Sequence, residues 1–92
     1  MADTEIDFNA PAALRKWPSL KNERVPQTWG GIPYLIIEDT LEECMRELMS
    51  KPAAQRHLYE IHTKPQTPLV TEVLQAEHII ELIRLRDFLG PA

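Results

Sequence analysis

The longest stretch of the chain without a proline or glycine runs from Leu69 to Leu89. A threonine–proline pair precedes it, which suits an N-cap followed by the first residue of a helix. A glycine–proline pair follows it, which is typical of a helix end. These signals predict one long helix over residues 68–89. In a chain of 92 residues, such a helix leaves room for a single domain.

The apolar residues of this predicted helix lie on two flanks rather than on one stripe. One set repeats at alternating spacings of four and three residues, as in the seam of a coiled coil. The seam consists of Leu69, Val73, Ala76, Ile80 and Ile83. A domain this small can hardly cover both flanks, and monomeric proteins rarely leave such a surface exposed. The pattern therefore predicts a homodimer formed through the C-terminal helix.

Two further elements are indicated in the middle of the chain. Residues 33–38 are short, β-branched and aromatic, which predicts a strand. Thr40 and Glu43 then have the spacing of a capping box. The apolar residues that follow recur with helical spacing, so a helix is predicted over residues 40–50.

The segment from 53 to 63 is compatible with two structures. Its apolar residues fit a helical stripe over 53–62, whereas residues 57–63 also alternate as a strand. The β-branched and aromatic content favours the strand. The order strand–helix–strand–helix also follows, and a helix between two strands is the crossover that parallel pairing requires.

The first 32 residues are interrupted by prolines and are predicted to form an extended arm that carries Trp17 and Trp29. Residues 33–92 are predicted to form the compact part. The expected fold is thus a small single α+β domain with an extended N-terminal arm, then strand, helix, strand and long helix. A mostly α fold, with 53–62 helical, is the alternative.

Composition excludes several classes of function. The formal net charge of −4 provides no positive field for nucleic acid, and a single cysteine cannot form an internal disulfide. The acidic N-terminus does not resemble a secretory signal, and no apolar run is long enough to span a bilayer. We expect a cytoplasmic protein that binds neither nucleic acid nor a membrane and carries no cofactor.

Residues with reactive side chains are few. Cys44 falls on the apolar stripe of the predicted first helix and is interpreted as a core residue. The spacing of the three histidines does not suit a zinc site, so no metal is predicted. No catalytic motif is present. Asp39 and His62 come nearest to an acid–base pair, because parallel strands would bring both to one carboxyl edge.

The sequence favours a non-catalytic protein-interaction or regulatory module that associates with itself through the C-terminal helix. The seam residues, together with Trp17 and Trp29, are the predicted interface, because buried aromatic residues dominate interface energetics. A further protein partner is compatible with this interpretation. The alternative is a small enzyme or ligand-binding protein that uses Asp39 and His62.

Overall fold

A computed structural model describes residues 6–66 and 69–89. Its centre is a four-stranded antiparallel sheet in the order β4-β1-β5-β6, accompanied by a two-stranded ribbon, β2–β3. The strands are β1 (Pro11–Lys16), β2 (Ser19–Leu20), β3 (Glu23–Arg24), β4 (Tyr34–Thr40), β5 (Tyr59–Thr63) and β6 (Val73–Gln75). The helices are α1 (Leu41–Met49) and α2 (Ala76–Leu89), with 3-10 helices at Gln27–Trp29 and Ala53–Leu58. The predicted α+β class is confirmed, and the mostly α alternative is wrong.

The residues predicted to form an extended arm contribute a central strand of the sheet. In β1, Ala12 and Leu14 are buried, and the strand pairs with β4 on one side and β5 on the other. Prolines occur only at its first residue and just beyond its end, where they remove no hydrogen bond from the middle of the sheet. The proline spacing that argues against a helix therefore leaves space for a strand.

The predicted sequence of strand, helix and strand is confirmed as β4–α1–β5, but the expected pairing is not. Both strands run antiparallel to β1 and so are parallel to each other. They are not neighbours, because β1 lies between them. The result is a split β-α-β arrangement, in which α1 packs against all three strands.

Helix α1 begins as its sequence predicts. Thr40 is the N-cap, and its Oγ1 accepts a hydrogen bond from the backbone N–H of Glu43 at 3.1 Å. The Thr40 backbone N–H donates to Asp39 Oδ1 at 2.7 Å, so Asp39 takes the role that a capping box gives to Glu43. The apolar stripe of the helix is buried against the sheet and consists of Leu41, Cys44, Met45 and Leu48.

The predicted helix over 68–89 is too long at its start. Residues 73–75 form β6, which pairs with β5, and α2 begins at Ala76. The side chain of Leu74 is fully buried while Val73 is partly exposed, which is the alternation of a strand. Pairing with β5 outweighs the helical propensity of this stretch. The predicted cap at Thr67–Pro68 and the predicted stop at Gly90 lie outside the described residues.

Residues 53–63 divide between the two structures that the sequence allows. A 3-10 helix covers Ala53–Leu58, and β5 follows at once.

The core lies between α1 and one face of the sheet, and Ile79 and Leu82 of α2 also belong to it. Within 6–66 and 69–89, no helix is long and apolar enough to cross a membrane.

Candidate interaction surface

A short loop before β4 holds Trp29 in solvent. Backbone N–H groups of Trp29 and Gly31 both donate to the carbonyl of Pro26 at 2.9 Å. Gly30 has a φ of 88°, which favours glycine, and a Cβ on Gly31 would lie 1.8 Å from the carbonyl oxygen of Val25. The loop is therefore fixed by its own backbone, yet the Trp29 side chain is 74% exposed.

Three more exposed apolar side chains follow Trp29 along the chain. Ile32 is 70% exposed, Tyr34 is 47% exposed and Leu35 is 45% exposed. We refer to Trp29, Ile32, Tyr34 and Leu35 as the apolar edge, because the last two belong to the edge strand β4. No charged residue occurs between Val25 and Ile37. This stretch of β4 and the loop before it therefore exposes apolar side chains with no charged residue among them.

Strand β4 also presents unpaired backbone groups. Its inner side pairs with β1, and no described strand lies on its outer side. The N–H of Leu41 donates to the carbonyl of Ala10, and hydrogen-bonded pairs alternate along an antiparallel ladder. The observed register shifts between Leu14 and Arg15. In this register, three residues of β4 direct their backbone N–H and C=O groups away from β1, namely Leu35, Glu38 and Thr40.

The two ends of β4 differ in charge. Glu38 and Asp39 are exposed near its carboxyl end. At its start, Leu35 lies beside Arg15 and Tyr34 beside Lys16, both of which belong to β1. Among residues 6–66 and 69–89, none of these four charged side chains forms an ion pair. This edge of the sheet therefore has a basic end, supplied by β1, and an acidic end, supplied by β4.

Trp17, the other predicted interface tryptophan, turns inward instead. Its Nε1 donates to Glu60 Oε1 at 2.9 Å, and the Arg24 guanidinium lies 5.3 Å from the centre of its ring. The side chain is only partly exposed. Trp17 and Arg24 thus join the ribbon to the face of the sheet opposite α1.

Glu60 is the centre of this second cluster. Its carboxylate is almost fully buried and accepts hydrogen bonds from Trp17, from Gln75 at 3.2 Å and from His62 Nε2 at 2.6 Å. Arg24 completes the shell at 3.6 Å. Burial raises the pKa of Glu60, but the hydrogen bonds from Trp17, His62 and Gln75 outweigh it, so that the pKa lies below its ordinary value of 4.5.

Asp39 and His62, the predicted acid–base pair, line one open groove of about 630 Å³. They do not touch each other in the described structure. Strand β1 separates their strands, and Asp39 Oδ1 accepts from the backbone of Thr40 while His62 binds Glu60. Both residues line the groove, but no hydrogen bond between them makes an acid–base pair.

The predicted seam residues do not share one helix. Leu69 is exposed and Val73 lies in β6, so both precede α2, and Ala76 is its first residue. Ile80 and Ile83 are half-buried, and Ile83 packs against the core. Among the α2 residues whose burial is described, 76–88, the most exposed apolar one is Phe88, at 85%, which is not part of the seam.

Cys44, the remaining candidate from the sequence, belongs to the core. Cys44 is a free, buried thiol, and burial raises its pKa to about 11, so it stays protonated at neutral pH. Among residues 6–66 and 69–89, no group of His, Cys, Asp or Glu could hold a metal ion.

Sequence reasoning missed Glu60 as a buried group and did not include Ile32, Tyr34 and Leu35 in an interface. Two signals could have indicated them. The uncharged stretch from Val25 to Ile37 is unusual in a chain with 26% charged residues. Glu60, between Tyr59 and Ile61, is a charged residue within an apolar strand.

No family model matches the chain, and neither a curated protein nor a solved structure is significantly similar to it.

Proposed function

We propose that this chain is a non-catalytic protein-interaction module that associates with a second copy of itself through the apolar edge. The observation that carries the proposal is Trp29, which a backbone-fixed loop holds 74% exposed and which three further exposed apolar side chains follow along the chain. An aromatic side chain that is already positioned loses little conformational freedom on binding and so makes an effective anchor.

A second copy is the partner that the surface favours. Two copies of a chain with a net charge of −4 repel each other, so contact is most favourable where uncharged or oppositely charged groups meet. The uncharged stretch that contains the apolar edge meets this condition. A two-fold dimer also buries the same surface twice, which suits a small module.

This proposal moves the contact away from α2, where the sequence placed it. Ile79 and Leu82 are already buried in the core, and only part of the predicted seam remains on the helix. Association through α2 remains a prediction, as does the cytoplasmic location. The alternative of an enzyme or ligand-binding protein also remains a prediction, since Asp39 and His62 share a groove without contact.

Sedimentation velocity over a range of concentrations tests the proposal. Wild type is expected to dimerise, and Trp29→Ser is expected to weaken the dimer by about thirtyfold, as for a loss of about 2 kcal/mol per dimer, or about 1 kcal/mol for each copy of Trp29. Phe88→Ser is the matched control, because it removes a still more exposed aromatic side chain from α2 and should leave the dimer unchanged.

The reverse result would show that the interface lies on α2 instead of the apolar edge. If Phe88→Ser or Ile80→Asp disrupts the dimer while Trp29→Ser does not, the contact lies on α2. A wild-type chain that remains monomeric at every concentration contradicts self-association through either surface.

A further inference from the structure

We propose that two copies pair antiparallel along β4, about a two-fold axis between Ile36 and Ile37. The pairing would join two four-stranded sheets into one of eight strands. This inference rests on the proposed function, because it specifies how the second copy is held. It is argued from the backbone groups and from the charges of the edge strand.

The outward backbone groups match under this two-fold axis. Leu35 lies opposite Glu38 of the partner subunit, and Glu38 lies opposite the partner subunit's Leu35. Both residues direct their N–H and C=O groups outward, so each pair can exchange two hydrogen bonds.

The register irregularity in β4 does not interrupt this pattern. Leu35 and Glu38 are three residues apart in β4. They pair with Arg15 and Ala13, which are only two residues apart in β1. The extra residue therefore lies within β4 between Leu35 and Glu38, and a two-fold axis places the same extra residue in the partner strand. The outward groups of Leu35 and Glu38 keep the spacing that a neighbouring strand requires.

The charges are also complementary on the face of the sheet that carries Glu60. There the row across the interface would be Arg15, Leu35, then Glu38 of the partner subunit. Strands are spaced about 4.8 Å apart, so the Cα atoms of Arg15 and that glutamate would be about 10 Å apart. Their long side chains can meet over the leucine.

The opposite face repeats the arrangement with different residues. Tyr34 would lie opposite Asp39 of the partner subunit, with Lys16 behind the tyrosine. Each acidic residue of one copy therefore meets an apolar residue backed by a basic one. The two-fold axis doubles both contacts, and it brings the basic end of each edge strand to the acidic end of the other.

Charge reversal tests the pairing in sedimentation velocity experiments. Arg15→Glu alone places two glutamates together at both contacts, and Glu38→Lys alone places two cations together. Each variant is expected to dimerise about tenfold more weakly than wild type. An equimolar mixture of the two variants restores an attractive pair at both contacts, and so should form a heterodimer of wild-type affinity.

A backbone variant provides an independent test if Arg15→Glu fails to fold. Glu38→Pro removes an N–H that points away from β1, so the monomer should keep its far-UV circular dichroism spectrum and lose the dimer. If the wild type dimerises and neither Glu38 variant weakens it, pairing along β4 is wrong while self-association stands. A monomeric wild type overturns both.

Discussion

The packing of the ribbon against the sheet depends on Glu60, whose carboxylate is buried. The carboxylate accepts hydrogen bonds from Trp17, His62 and Gln75, and it also faces Arg24. Glu60→Gln preserves its size but removes the charge, so hydrogen bonds to a charged group are lost. We expect the free energy of unfolding to fall by about 1–3 kcal/mol in urea titrations at neutral pH.

Glu81→Gln is the control for this prediction, because Glu81 is exposed on α2. It should leave the free energy of unfolding unchanged. An equally small effect for Glu60→Gln would show that the buried cluster contributes little to stability.

The same carboxylate predicts a pH dependence. The pKa of Glu60 in the folded chain lies below 4.5, its ordinary value, so the folded state favours the charged form. Its contribution to stability is therefore complete above pH 4.5 and is lost as the pH falls through the lowered pKa. The difference in free energy of unfolding between wild type and Glu60→Gln should shrink below pH 4.5. A difference that persists unchanged to about pH 3 contradicts this assignment.

Among the elements, α1 depends most directly on a local signal. Thr40→Ala removes the oxygen that accepts from the Glu43 backbone, and it should lower the free energy of unfolding by about 1 kcal/mol. Thr40→Ser keeps that oxygen and should restore most of the stability. Urea unfolding of the two variants compares them directly, and equal losses would show that the cap hydrogen bond is not the cause.

The elements that the sequence predicts well are those whose signals are local. Helix α1 has its cap and apolar stripe within ten residues, and β4 has β-branched residues bounded by Pro33. The strands β1 and β6 depend on distant partners instead. Ala12 and Leu14 acquire their place only through pairing with β4 and β5, and Leu74 only through pairing with Ile61. Such non-local pairing leaves little trace in a short segment.

The same difference between local signals and distant contacts applies to the residues of the candidate site. Trp29 is predicted as an interface residue from its type alone, and the structure holds it in solvent. Trp17 is the same type of residue but lies against Glu60. The difference comes from a glutamate 43 positions away in the chain, which periodicity does not reveal. Whether Asp39 and His62 touch also depends on which strand lies between them.

In the molecule as a whole, a polar, hydrogen-bonded cluster lies on one face of the sheet, the core lies on the other, and the proposed contact surface lies at the edge. The folded chain is elongated, at 44 × 23 × 20 Å. Natural sheets usually protect an exposed edge strand with charges, prolines or a covering segment. Strand β4 has its charges only at one end, which supports the proposal that a second copy covers its edge.

Amide hydrogen exchange of β4, followed by NMR below and above the concentration at which the chain dimerises, tests this claim most directly. The N–H groups of Leu35 and Glu38 face outward and have no partner strand within the described monomer. We expect them to exchange rapidly in the dilute sample and slowly in the concentrated one, while the inward N–H of Ile37 stays protected in both. Rapid exchange of Leu35 and Glu38 at every concentration would contradict pairing along β4.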